Sequence, residues 1–312
     1  MRRRQAGVWC GVASLCAMAA ALPAQEKPLL RTFAQGAAES YRVEVTVRSE
    51  LRGVRPETIG AKTYVRPFTQ AAEATMTWNA ARRIVAVLAD GSAEIEETRE
   101  PVSAAYRCEP EEDPAARKLQ EALRVVGAKW EQPLVLRYRE ARDGHLQGLQ
   151  AQEAAGFGEE QPRLLTPWLR HALRPSVLLP AAPLRFGERW QRRPQGPVPP
   201  WSAVQGAETG EWAAAPGDAP AATLHVTQEL TGEIPPAGTP GAAAVQHEPA
   251  ARRGSFFADA LSTVSLLDGS LLSAVRSAAR ETSWTLAPVE GLPEPPRFAA
   301  KLSVSVTIRR RP

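Results

Sequence analysis

The chain has 312 residues, 44% of them hydrophobic, which is ample for a buried core without covalent staples. Its formal net charge is +4, but Arg2, Arg3 and Arg4 carry three of those charges, so the rest is near neutral and argues against a nucleic-acid binder. Cys10 and Cys16 also lie at the N-terminus, which leaves Cys108 alone and excludes a disulfide framework within the remaining chain.

Residues 1–24 read as a secretory signal peptide. The three arginines form a basic start, residues 8–22 are an uncharged apolar run, and Leu22-Pro23-Ala24 precedes a cleavage site at Gln25. The run is shorter than the ~20 apolar residues a membrane-spanning helix needs. Leu15 before Cys16 and Trp9 before Cys10 do not make a lipid-attachment site. The expectation is an exported protein, periplasmic or extracellular, with no transmembrane segment after cleavage and a single β-rich domain over residues 25–312.

Strands dominate the remainder of the chain. Tyr41, Val43, Val45 and Val47 alternate with Arg42, Glu44, Thr46 and Arg48, the mark of a strand with one face buried. Further strands are expected at 74–78, 84–88, 93–98, 134–139, 223–230 and 262–267. Leu302, Val304, Val306 and Ile308 repeat the alternation near the C-terminus. Asp90-Gly91, Asp143-Gly144 and Asp268-Gly269 sit between such runs and predict two-residue type I′ hairpin turns. The spacing predicts helices over 114–126, with Asp113 as cap and Gly127 as stop, and over 167–173, capped by Thr166. The stretch 202–222, rich in Ala, Gly and Glu, reads as an irregular loop. Pro-rich stretches at 194–200, 235–240 and 288–296 read as surface connections, and Arg309-Arg310-Arg311 as a solvated end. The fold class is therefore mainly β, an antiparallel meander forming a curved sheet or half-barrel with two short helices. The echo of Leu88-Ala89-Asp90-Gly91-Ser92 in Leu267-Asp268-Gly269-Ser270 hints at related halves, 25–160 and 161–312.

Pro183, Gly187 and Trp190 form a Pro-x3-Gly-x2-Trp motif between the two β segments. With Gly254-Ser255-Phe256-Phe257 and Leu267-Asp268-Gly269-Ser270-Leu271, it resembles a family of exported bacterial domains of unknown function. The arrangement is similar to the curved half-barrels of LolA-like periplasmic lipoprotein carriers. That resemblance implies a lipid or envelope-protein partner and assigns no catalytic residue. Physically, the motif predicts a turn at Gly187 and a core-anchoring Trp190; Trp201 and Trp212, flanked by Pro, Gly and Ala, are expected to be the exposed tryptophans.

No catalytic or metal-binding constellation is evident, and no cofactor is implied. His145 follows a turn, His171 lies near Trp168, and His247 sits in an Ala/Pro-rich loop. His225 and Glu229, four apart on an expected strand, lack a third ligand at a diagnostic spacing. Neither a Gly-x-Ser-x-Gly elbow nor a phosphate-cradling loop occurs. The sequence thus points to a non-enzymatic binding or interaction protein of the envelope, with an apolar ligand on a curved sheet. The alternatives are a structural protein with a filled core, or a hydrolase whose site is dispersed along the chain.

Overall fold

The computed structural model describes residues 29–59, 62–128, 133–148, 168, 172–179, 186–193, 202–215, 220–233, 252–285 and 295–312. Among these residues twelve strands form one antiparallel sheet. The first half of the chain supplies β1 (Ala38–Ile59), β2 (Lys62–Val87), β3 (Ala93–Arg99), β4 (Ser103–Glu109), β5 (Leu134–Glu140) and β6 (Leu146–Gln147). The second supplies β7 (Arg189–Arg192), β8 (Ser202–Ala214), β9 (Ala221–Glu233), β10 (Arg252–Ser265), β11 (Leu271–Thr285) and β12 (Arg297–Arg310). The order is β6-β5-β3-β2-β1-β12-β11-β10-β9-β8-β7, with β4 beside β2, so the sheet is not closed into a barrel. The two halves of the chain meet where β1 pairs β12, Val45 opposite Val306.

One face of this sheet, the inner face, is apolar because the alternation keeps its phase across strands. Tyr41, Val43, Val45 and Val47 are buried with Met76 and Trp78 of β2 and Val304, Val306 and Ile308 of β12. Phe256 of β10, Leu224 and Leu230 of β9 and Trp212 of β8 extend the same core. Two elements cover it. Helix α1 (Pro114–Ala128) lies against β2 and β4, with Ala116 buried among Ala72 and Cys108. Its cap is as expected: Asp113 Oδ1 accepts from the Ala115 amide at 2.8 Å, and its other oxygen accepts from Gln70 of β2 at 2.7 Å. The second cover is a strap, residues 172–179, whose Leu173, Val177 and Leu179 join the core.

Several expectations change. Among the described residues α1 is the one helix with a continuous span, and of the second expected helix the described Trp168 and Ala172 are helical. The helix expected over 167–173 falls mostly outside the described residues, and from Arg174 the chain runs on without helical structure. Gly127 does not stop α1, which continues to Ala128. The stretch 202–222 is not a loop: it supplies β8 and the start of β9, paired from Gln205↔Thr231 to Ala214↔Ala222. Weak intrinsic strand preference of Ala and Gly concealed a strand that cross-strand pairing stabilises.

All three Asp-Gly pairs do join strands, but with different turn geometry. The Gly91 amide donates to the Leu88 carbonyl at 2.9 Å and the Gly144 amide to the Ala141 carbonyl at 2.9 Å. Each Asp is thus the second central residue of a turn, and the Gly after it takes the positive φ (77° and 85°). Asp90, Asp143 and Asp268 each accept from the amide two residues on, at 3.1, 3.1 and 3.0 Å, so the aspartate carboxylates brace these bends.

Candidate functional site

Strap and sheet are joined by buried charges. Arg276 of β11 donates to the carbonyls of Ala172 and Arg174, each at 3.0 Å, and to that of Ser176. Arg82 of β2 donates to the Pro175 carbonyl at 2.8 Å and to Tyr138 Oη at 3.0 Å, and pairs with Glu39 at 3.2 Å and with Glu140. Arg31 reaches Glu39 at 2.6 Å, and Arg174 of the strap reaches Glu97 at 2.9 Å, which also accepts from Tyr138. Burial pushes the Glu39 carboxyl up, but Arg31, Arg82 and the Tyr41 hydroxyl outweigh it and hold it below its ordinary value. Burial also pushes Tyr41 up, to about 12, with Glu39 adding to the effect. Gly144 is needed here, because a Cβ at that position would lie 1.8 Å from the Val177 carbonyl oxygen of the strap. This part of the inner face, nearest the Asp-Gly turns, is filled and tied shut.

The far half of the same face is different. Phe68, Gly53, Phe298 and Trp284 stand opposite one another on β2, β1, β12 and β11. The Phe298 and Trp284 rings stack at 5.8 Å, and Phe68 tilts against Phe298 at 6.1 Å. Gly53 makes the row possible, since a Cβ there would lie 2.5 Å from the Phe298 ring. All three rings are half-buried, as are Leu51, Ala300 and Leu302 in the adjoining rows. Arg280 lies in the row of Leu302 and Phe256. Its Nε and Nη2 donate to Thr282 Oγ1, each at 3.3 Å, and Thr282 stands between Arg280 and Trp284 on the same face of β11. Its Nη1 is buried with no hydrogen-bond partner among the described residues. Burial pushes Arg280 down to about 10, so it stays cationic at neutral pH.

A second feature occupies the outer face beside β7. Arg189, Gln191, Thr209, Glu211, His225 and Thr227 line a cleft of about 470 Å³. Its polar groups satisfy one another: Arg189 with Glu211 at 2.8 Å, Thr209 with Thr227 at 2.5 Å, and His225 with Asp259 at 2.6 Å. The only hydroxyls among the described lining residues are those two threonines, and they engage each other. The cleft holds no Ser–His–carboxylate arrangement.

The residues singled out from sequence are scattered. Gly187 has φ 80° in a turn closed by its amide on the Trp212 carbonyl at 2.6 Å. Trp190 lies in the short edge strand β7, half-buried, its ring over Gly210. Pro183 lies outside the described residues, as do Trp201, His171 and His247. Trp212, expected to be exposed, is 2% exposed, stacked on Phe186 at 6.1 Å. Its Gly and Ala neighbours belong to a strand, whose inner phase carries the ring into the core. His145 is exposed beside Asp143, and His225 and Glu229 are both exposed on β9. Among the described residues no three His, Cys, Asp or Glu side chains gather as a metal site, and no helix is long and apolar enough to cross a membrane. Cys108 is a free, buried thiol under α1.

The aromatic row and Arg280 were missed at the sequence level. A signal existed for Arg280: it shares its phase with buried Ala274 and Ala278 of β11, where a charge is out of keeping with a purely apolar face.

No protein-family model and no curated protein matches this sequence. Among solved structures, the chain shows a likeness to the secretin-domain β-barrel of InvG from the Salmonella SPI-1 injectisome base. The identity is 12% and the TM-score 0.13, over 89% of this chain and 63% of that one. A likeness of that order carries no argument.

Proposed function

We propose that the protein is an exported, non-enzymatic binding protein of the cell envelope that holds an apolar ligand on the far half of its inner sheet face. The observation that carries this reading is the half-buried row of Phe68, Phe298 and Trp284 across Gly53. Rings in the bulk of a filled core would be sealed like Trp212 and Phe256; these are not. The turn-end half supplies the rigidity a binding face needs, because four buried arginines fasten the N-terminal segment and the strap to the sheet. The basic and apolar N-terminus supports export. The one-sided antiparallel sheet with a helix over it is in keeping with a half-barrel of LolA-like kind. Burying ~10 methylenes at ~0.8 kcal/mol each would give roughly micromolar affinity before ordering costs.

Native mass spectrometry of the protein isolated from its own exported fraction tests the reading. A retained apolar adduct, lost on unfolding, is expected. A bare polypeptide mass, together with no uptake of added alkyl ligands, would reject it.

One observation favours a second reading, docking to another protein. Residues 54–59 and 62–67 pair only with each other among the described residues and extend past the neighbouring strands, with Ile59, Tyr64 and Val65 exposed. Deleting 56–65 separates the two readings: ligand uptake survives if the sheet face binds, and partner association is lost if the arm does.

A further inference from the structure

The aromatic row accounts for an apolar ligand and leaves Arg280 unexplained. Four buried arginines on the inner face of the turn-end half are each engaged through their guanidinium ends. Arg82 and Arg31 meet carboxylates, Arg174 meets Glu97, and Arg276 meets three strap carbonyls. Arg280, four residues along β11 from Arg276 on the same face, donates among the described residues only to the Thr282 hydroxyl, through two nitrogens at 3.3 Å. No carboxylate among the described residues pairs with it, and Glu281 beside it points to the outer face. Withdrawing a guanidinium nitrogen from water without a partner is costly, since a buried charged donor loses its hydration and gains nothing.

The surroundings of that nitrogen are apolar. Leu302 and Phe256 flank Arg280 across the sheet, and Thr282, which accepts from it, stands between it and Trp284 on the same face of β11. Strand geometry puts Arg280 and Trp284 roughly 13 Å apart along β11. A fork of N–H donors therefore stands at one end of a hydrophobic platform whose other end is the ring row.

Resting on the binding reading above, we infer that the ligand is an anionic amphiphile, a fatty-acid-like molecule whose carboxylate is bound by Arg280 and whose alkyl chain lies over Leu302, Ala300, Leu51 and the Phe298–Trp284 stack. A carboxylate matches the planar donor fork and satisfies Nη1. A neutral chain of equal length makes the same apolar contacts and leaves the guanidinium as it is. The charge sets the class of ligand, and the rings set its apolar part.

The test compares dodecanoate with 1-dodecanol by isothermal titration calorimetry at neutral pH, each below its aggregation concentration. The wild-type protein is expected to bind dodecanoate about tenfold or more tightly than dodecanol. Arg280→Met should remove that preference, so that dodecanoate and dodecanol bind the variant about equally, and Arg280→Lys should keep part of it. Equal affinities in the wild type would overturn the anion assignment and leave the apolar site standing. A preference that survives Arg280→Met would place the anion elsewhere and overturn it too. Binding of neither molecule would overturn the binding reading itself. Should Arg280→Met not fold, dodecyltrimethylammonium with the wild type decides: weaker binding than dodecanol supports the inference, and equal or tighter binding contradicts it.

Discussion

Arg82 is the centre of the buried charge network, and its replacement by Met is the most informative perturbation of stability. The side chain is 2% exposed and its partner Glu140 is 1% exposed. Burial would push Arg82 down, yet Glu140, Tyr138, Tyr41 and Glu39 together hold it well above its ordinary value. Met keeps much of the apolar stem but leaves Glu140, among the described residues, with only Arg31 Nε, at 4.0 Å. Glu39 suffers less, retaining Arg31 at 2.6 Å and Tyr41 at 3.0 Å. Stranding one buried carboxylate costs about 3–5 kcal/mol. The lost bond to the Pro175 carbonyl adds about 1 kcal/mol, offset in part by methionine packing. Urea unfolding of Arg82→Met should therefore show a loss of about 3–5 kcal/mol at an unchanged m-value. The double variant Arg82→Met/Glu140→Gln should recover about 1–3 kcal/mol relative to additivity, because the stranded charge is gone. A single-variant loss below about 1 kcal/mol, or strict additivity in the pair, would refute the assignment of this network as the fastening of strap to sheet.

Three further outcomes are expected of the same structure. Gly144→Ala should destabilise by more than the roughly 1 kcal/mol of an ordinary positive-φ glycine. The added methyl meets the Val177 carbonyl, whereas Gly187→Ala, with open space at its Cβ position, should stay near that value in the same assay. Trp212→Ala should cost about 3–5 kcal/mol in denaturant unfolding and Trp190→Ala clearly less, since the first ring is sealed in the core and the second sits half-buried on an edge strand. Glu39 has a folded pKa below its ordinary 4.5, so its contribution is present above that value and is lost as pH falls through the depressed folded pKa. Urea midpoints between about pH 5 and about pH 3 should fall, and Glu39→Gln should flatten that fall.

The strands of the sheet centre were legible because their phase is unmixed: β1 reads Tyr41, Val43, Val45, Val47, and β12 reads Val304, Val306, Ile308. The hairpin positions were legible from Asp-Gly, though not the turn geometry, which depends on whether Asp or the residue before it begins the bend. Strand β8 was not legible. Its Gly206, Ala207 and Gly210 have little strand preference, and pairing to β9 supplies what local sequence lacks. The buried network left a trace that goes unread without the fold. Glu39 precedes Tyr41 in phase, Arg82 lies between Ala80 and Ile84, Glu97 follows Ile95, and Glu140 follows Tyr138. A charge on the apolar phase of a strand reads alone as a weak strand, and only the assembled sheet shows such charges meeting one another. The candidate site was illegible for the same reason: Phe68, Gly53, Trp284 and Phe298 are far apart in sequence and become neighbours through register.

Photolabelling with a diazirine-bearing analogue of 1-dodecanol shows whether an apolar ligand lies on the far half of the inner face. After irradiation and digestion, label is expected in the peptides containing Phe68, Trp284 or Phe298, diminished by excess unlabelled dodecanol. Label confined to residues 54–67 or to the outer-face cleft around His225, or label that competitor does not reduce, would contradict it.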